Sequence, residues 1–182
     1  MNSALVVYDS LGGNTEKVAR RIYETVIQKM PANLVKVDED TKIDLLAHDL
    51  IFIGSPVIDW LPAKSMITFV KCTMKAYNKQ GLIKPAAPIL PGKFGVCFAT
   101  FAGPHTGVGE AKPMTLWLRT ALEHLGFTVL DEWHVPGQFS KQTELNQGGR
   151  LGNIEGRPDS HDLQDIENRV QGVIAALSAW QN

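Results

Sequence analysis

Three apolar runs constrain this chain more than any other feature: residues 4–8 (ALVVY), 50–54 (LIFIG) and 94–99 (FGVCFA). None alternates with polar residues, so each is predicted to be a strand covered on both faces. Each run leads into a short loop of small or polar residues and then into a segment of helical periodicity. Residues 16–30 carry Val18, Ile22 and Val26 at four-residue spacing, with Ala19, Tyr23 and Ile27 beside them, and Pro31 ends the pattern. A second helix from about Pro62 puts Met66, Phe69, Val70, Thr73 and Tyr77 on one side. A third begins at Pro113, buries Met114, Leu118, Ala121, Leu122 and Leu125, and stops at Gly126. The last, from about His161, turns Leu163, Ile166, Val170, Val173, Ile174 and Leu177 inward.

Two further strands are more polar. Leu34, Val35 and Val37 are interrupted by Lys36, and residues 127–135 carry Asp131, Glu132 and His134. These two read as edges, and the three apolar runs as the centre. Between the elements lie an acidic connection (38–48) with a short helical turn, an extended segment marked by Pro85, Pro88 and Pro91, and a long Gly-rich connection at 136–160. Alternating strands and helices call for a parallel sheet with right-handed crossovers. The prediction is therefore α/β: one domain over 1–182, with three layers around a doubly wound five-stranded parallel sheet of order 2-1-3-4-5.

In such a sheet ligands sit outside the carboxyl ends of strands one and three, where the order reverses. The loop after strand one is Ser10-Leu11-Gly12-Gly13-Asn14-Thr15. It delivers two glycines and two hydroxyls to a helix N-terminus, whose first N–H groups lack intrahelical partners and carry partial positive charge. That is a site for an anion. The bland alternative is a helix cap made by Ser10 or Asn14. Gly-Lys-Ser/Thr and G-x-G-x-x-G are both missing, which excludes a P-loop and the dinucleotide fingerprint. The nearby cation, Lys17, is expected to be solvated. Rings attached to the anion would fall between Ser55-Pro56-Val57-Ile58-Asp59-Trp60 and the loop from Thr100 through Phe101, Ala102 and Gly103. Trp60 and Phe101 are the aromatics on hand, each either a stacking ring or core.

The pattern V-V-Y-x-S-x-x-G-N-T-E-K-V-A-x-x-I, carried by Val6, Val7, Tyr8, Ser10, Gly13, Asn14, Thr15, Val18, Ala19 and Ile22, resembles the flavodoxin signature around the FMN phosphate. Phe-Ile-Gly-Ser-Pro-Val at 52–57 resembles the second flavin loop of flavodoxins and of related NAD(P)H-quinone reductases. The resemblance implies a flavodoxin-like fold, non-covalent FMN and electron transfer. It implies that Ser10, Gly12, Gly13, Asn14 and Thr15 bind phosphate. Ser55, Pro56 and Trp60 would flank the flavin, and residues 100–103 would meet its pyrimidine edge. Asp59 would either bias the flavin potential or be a solvated carboxylate, and His105 is a further residue in reach. The role divides between an electron carrier with a redox partner protein and an FMN-dependent reductase of a small quinone or nicotinamide substrate. The 136–160 connection reads as a lid, a partner surface or a mobile loop.

Composition narrows the partners. Eighteen Lys and Arg against nineteen Asp and Glu leave a net charge of −1, which implies no general attraction to nucleic acid or anionic membrane. Electron-carrier flavodoxins are strongly acidic, whereas the pI here is about 6.5. No apolar run reaches the ~20 residues of a membrane span. Met1-Asn2-Ser3 leads straight into the first run without a leader pattern. Two cysteines, Cys72 and Cys97, sit in different predicted elements and fit a reducing, cytoplasmic setting.

Two other classes compete. Tyr8-Asp9-Ser10-Leu11 with Asp131-x-x-His134 resembles the nucleophile block and acid–base spacing of GDSL-type serine hydrolases, although the Gly-x-Asn-Asp block is absent. A response-regulator receiver shares the strand order but needs an Asp at the end of strand three, where Ile53-Gly54-Ser55 stands. The five histidines show no metal-ligand spacing.

Overall fold

The computed structural model describes residues 3–180. Met1 and Asn2, on which the reading of the N-terminus rests, lie outside the described residues. Five parallel strands, β1 (Ala4–Tyr8), β2 (Ala32–Lys36), β3 (Leu50–Ile58), β5 (Phe94–Phe101) and β6 (Thr128–Pro136), form a sheet of order β2-β1-β3-β5-β6. A short strand β4 (Leu61–Pro62) pairs antiparallel with the end of β3. The five long strands follow the expected 2-1-3-4-5 order, with β2 and β6 at the edges. The helices are α1 (Asn14–Val26), α2 (Lys64–Lys79), α3 (Lys112–His124) and α4 (Ser160–Trp180).

The uninterrupted apolar runs find their explanation in two cores. In β1, Leu5 and Val7 point to one face with Ile51, Ile53, Cys97 and Ala99, where the inward residues of α2 and α3 cover them. Ala4, Val6 and Tyr8 point to the other with Leu50, Phe52, Val96 and Phe98, under α1 and α4. A strand buried on both sides has no position left for a polar residue. Gly54 ends the apolar run because a Cβ there would lie 2.3 Å from the ring of Phe98.

Three boundaries differ from the sequence expectation. Helix α1 ends at Val26, four residues before 30, where the chain tightens into a turn in which Lys29 N donates to the Val26 carbonyl three residues back. Strand β3 continues through Ser55–Ile58, which the sequence assigns to a loop. Ser55 Oγ accepts from Ala63 N at 2.9 Å, and Val57 and Ile58 pair with Pro62 and Leu61, so the chain folds straight back as a hairpin. Strand β5 likewise takes in Thr100 and Phe101, held by pairing to Val135 and Pro136.

Candidate functional site

The loop after β1 is built by its own residues. Ser10 Oγ accepts from Gly13 N at 3.1 Å and from Glu16 N at 3.2 Å, which draws the loop against the first turn of α1. Gly13 makes that turn with φ of 88°, a left-handed backbone at which a side chain is strained. Of the two capping alternatives, Ser10 takes the role, accepting from the first turn of α1 from outside the helix, whereas the Asn14 side chain turns away to the Gln138 carbonyl. Asn14 and Thr15 open the helix, so their backbone N–H groups have no intrahelical acceptor.

Thr15 lies beneath the loop, 1% exposed, with Oγ1 2.7 Å from Thr100 Oγ1 at the end of β5. That contact ties the first crossover to the third across the intervening strand. Asp9, 3% exposed, accepts a hydrogen bond from Ser65 Oγ in the first turn of α2. This buried carboxylate holds the base of the loop to the opposite helix layer. Nothing in the sequence marks it, since an Asp after an apolar run is ordinary loop chemistry.

A cleft of about 150 Å³ opens where these segments meet. Leu11, Gly12, Asn14 and Thr15 line it on one side, and Pro56, Val57, Ile58, Thr100, Phe101 and Ala102 on the other. All ten are residues singled out from the sequence. Of the remaining six, Ser10 and Gly13 shape the loop, and Ser55 is a fully buried strut of the hairpin. Gly103 turns the chain, accepting from Gly107 N at 3.1 Å. Asp59 and Trp60 form the hairpin tip, with φ of 49° and 65°, and the Trp60 side chain is 60% exposed. Two left-handed residues in succession make a tight two-residue hairpin turn. Wider hollows occur between α2 and α3 (about 570 Å³) and beside the turn at Leu45–Ala47 (about 670 Å³), but neither meets the loops at the carboxyl ends of the sheet.

A further side of the cleft comes from the connection between β6 and α4, a strap laid across it. Gly137, Gln138, Phe139 and Ser140 line the cleft beside Gly12 and Asn14. Asn14 Nδ2 donates to the Gln138 carbonyl at 2.8 Å. Farther along, Arg150 N donates to the Pro104 carbonyl at 2.9 Å, so the strap also rests on the loop after β5. Asn146, 1% exposed, fastens it internally: Oδ1 accepts from Phe139 N at 2.8 Å and Nδ2 donates to the Phe139 carbonyl at 3.1 Å. Sequence reasoning singled out the connection, with Gly137 and Arg150 in it, but not Gln138, Phe139, Ser140 or Asn146. Their partners are remote in the chain, and no local pattern announces them.

The hydrolase reading does not survive the topology. Asp131 and His134 are three apart on one strand, which puts them on opposite faces of the sheet. Asp131 accepts from Trp133 Nε1, while His134 Nε2 is 2.9 Å from Thr115 Oγ1 beneath α3. Ser10 follows β1, three strands from β6 in the sheet. Burial pushes the His134 imidazole below its usual range, as suits a neutral anchor of an edge strand.

No protein-family profile matches the chain, and no curated protein does. Solved structures match it over nearly its whole length. A WrbA-like flavodoxin from Agrobacterium tumefaciens superposes with a TM-score of 0.63 at 18% identity, covering 100% of this chain and 99% of that one. Flavodoxin 2 from Bacillus cereus gives 0.62 at 19%, covering 92% and 94%. A flavodoxin from the domain Archaea gives 0.61 at 18%, covering 97% and 99%. At such identities the likeness is one of fold, and the fold is flavodoxin-like.

Proposed function

We propose that this flavodoxin-like chain binds FMN non-covalently and serves in electron transfer. The observation that carries the reading is the cleft itself, where the loop after β1, the β3 hairpin and the end of β5 converge at the reversal of strand order. The residues fit the group. The phosphate end offers main-chain N–H groups at the start of α1, the hydroxyl of Thr15 and the amide of Asn14, with Gly12 leaving backbone open to approach. Neutral donors suffice, since a hydrogen bond to a charged group is worth roughly 1.5–3 kcal/mol. The enclosed volume suits a phosphate and its attached chain rather than a whole ligand, for which pockets of roughly 300–1,000 Å³ are usual. The flavin ring therefore belongs at the open mouth beside Pro56–Ile58 and Ala102. Trp60, exposed at the hairpin tip, is the aromatic available to cover it. Bound flavin supplies the electron chemistry; the chain's own part is to grip the phosphate, orient the ring and limit its exposure.

A carrier that passes electrons to a redox partner protein is our first reading, because the strap lines the cleft beside the loop after β1 and narrows the room for a second substrate. The second is an FMN-dependent reductase of a quinone or nicotinamide substrate. Anaerobic addition of NADH and NADPH separates them, since prompt bleaching of the flavin band means reductase. Two free cysteines, one exposed and one buried, agree with a cytoplasmic setting, and among the described residues no helix is long and apolar enough to cross a membrane.

The direct test is whether heat releases FMN from the purified protein, and whether Thr15→Ala weakens FMN binding. The expected loss is roughly 1–3 kcal/mol. Unchanged affinity removes the phosphate from this loop.

A further inference from the structure

A net charge close to zero conceals a one-sided distribution. Between Asp59 and Glu110 the chain carries Lys64, Lys71, Lys75, Lys79, Lys84 and Lys93 but no Asp, Glu or Arg. Four of these lysines lie on α2, at spacings of seven, four and four residues, which sets them in one stripe along the helix. All four are exposed. Among the described residues the one lysine held in an ion pair is Lys93, 3.1 Å from Asp49, so the stripe on α2 keeps its charge unmatched.

Beside the stripe runs the trough of about 570 Å³ between α2 and α3. Its α3 wall is a single ridge of Pro113, Leu116, Trp117, Thr120, Ala121 and His124, spaced as one face of a helix. Val70, Lys71 and Met74 form the α2 wall. Met74 and Trp117 rest on the core beneath, whereas Leu116 is 57% exposed. Thr120 Oγ1 donates to the Leu116 carbonyl of its own helix at 2.8 Å, so its hydroxyl asks for no outside partner. Lys71 belongs to both features, and there the apolar trough adjoins the cationic stripe.

We propose that trough and stripe together form a docking surface for an acidic amphipathic helix of another protein. Such a helix lays apolar residues spaced i, i+3, i+4 and i+7 into the trough and turns Asp and Glu toward α2. The ridge from Pro113 to His124 is roughly 17 Å long, which matches about three turns of the incoming helix.

Other occupants fit less well. A second copy docked through the same face about a two-fold axis would set the lysine stripe against its own mate. A bilayer receives apolar side chains that project from a surface, and here most of them line a recess between two helices. The trough shares no lining residue with the cleft at the carboxyl ends of the strands. A helix seated in it leaves that mouth open, so the surface tethers the chain to a partner without covering the site, and it stands whether or not the cleft holds flavin.

The experiment titrates the full purified chain into a fluorescein-labelled synthetic helix of eighteen residues, with Leu on one face and Glu along its edge, read by anisotropy. Its controls are a scrambled peptide of the same composition and a peptide with Lys in place of Glu. The acidic helix is expected to bind with a Kd of roughly 10–100 μM, more weakly as salt is added, and at least about 10-fold more tightly than either control. Leu116→Glu, at an exposed position, should weaken it about 10-fold. The double change Lys71→Glu and Lys75→Glu should do the same, mostly through slower association. Circular dichroism checks that each variant keeps its fold. Equal binding of all three peptides overturns the proposal, as does binding that neither variant changes or no binding of the acidic helix at all. Two further results replace the partner. Binding to vesicles of phosphatidylserine and phosphatidylcholine that Leu116→Glu abolishes, with the peptide ignored, assigns the surface to a membrane. A dimer in sedimentation that the same change dissociates assigns it to a second copy.

Discussion

The cleft is bounded by two segments that reach order by opposite routes. The loop between β1 and α1 is short, and its hydrogen bonds run between residues three and six apart, from Gly13 and Glu16 back to Ser10. The strap between β6 and α4 is long, and its bonds join Phe139 to Asn146, Asn146 to Ile154 and Gln138 to Arg157. In the first, strand and helix dictate the turn and one hydroxyl completes it. In the second, a single buried amide reproduces for irregular backbone what a sheet ladder does for a strand, because buried N–H and C=O groups must be paired. Two kinds of failure should follow when the key residue of each is removed.

The larger effect is expected at Asn146. Its replacement by Ala leaves Phe139 N–H and C=O without their partners in a part-buried setting, at roughly 1–3 kcal/mol for an unsatisfied group. The strap has few apolar anchors, so the loss should appear as local opening rather than global unfolding. Hydrogen exchange should accelerate across residues 138–156 while the central strands keep their protection. Uniform loss of protection over the whole sheet would show that the strap and the sheet form one cooperative unit.

This difference also decides how much could be read from the sequence. Strand order followed from apolar runs because burial on two faces leaves a mark at every position of residues 4–8, 50–54 and 95–99. The loop at 10–15 was legible because a strand–Gly–helix junction has local chemistry, and the ten cleft residues it shares with segments 56–58 and 100–102 follow from topology alone. Gln138, Phe139 and Ser140 were not legible as lining, and Asn146 was not legible as a staple. Their roles depend on contacts that arise only when β6 is laid at the edge of the sheet and α4 returns beside α1. The extension of β3 was hidden differently. Ser55-Pro56 reads as a turn, and only the return of Leu61–Pro62 makes it a strand.

A middle-sized effect is expected at Ser10, where the local route can be broken by itself. Ser10→Ala removes the acceptor for two N–H groups at the start of α1, and losing a helix cap costs about 1 kcal/mol. Thermal or denaturant unfolding should shift by that amount with its cooperativity intact, because α1 packs directly on the core through Val18, Ile22 and Val26. Exchange in the strap should stay as in the parent. If strap amides exchange faster in this variant, the contact of Asn14 with Gln138 couples the two segments and the contrast between them weakens.

The hairpin tip sharpens the comparison, because there the sequence opposes the conformation it is given. A two-residue turn with both φ values positive favours Asn-Gly, and a bulky residue in left-handed backbone costs roughly 1–2 kcal/mol. Here Asp59 and Trp60 occupy those positions, with the indole largely in solvent. Trp60→Gly should relieve that strain at the expense of chain entropy, roughly 0.5–1 kcal/mol, for a net stabilisation of about 0.5 kcal/mol. The same change should weaken FMN binding and restore emission from bound flavin, since it removes the ring available at the mouth. Opposite signs in the two measurements would identify the strain as retained for the site. A variant that gains stability and binds flavin with unaltered affinity and emission would place Trp60 outside it, and would leave Phe101 and Phe139 as the aromatics that meet the ligand.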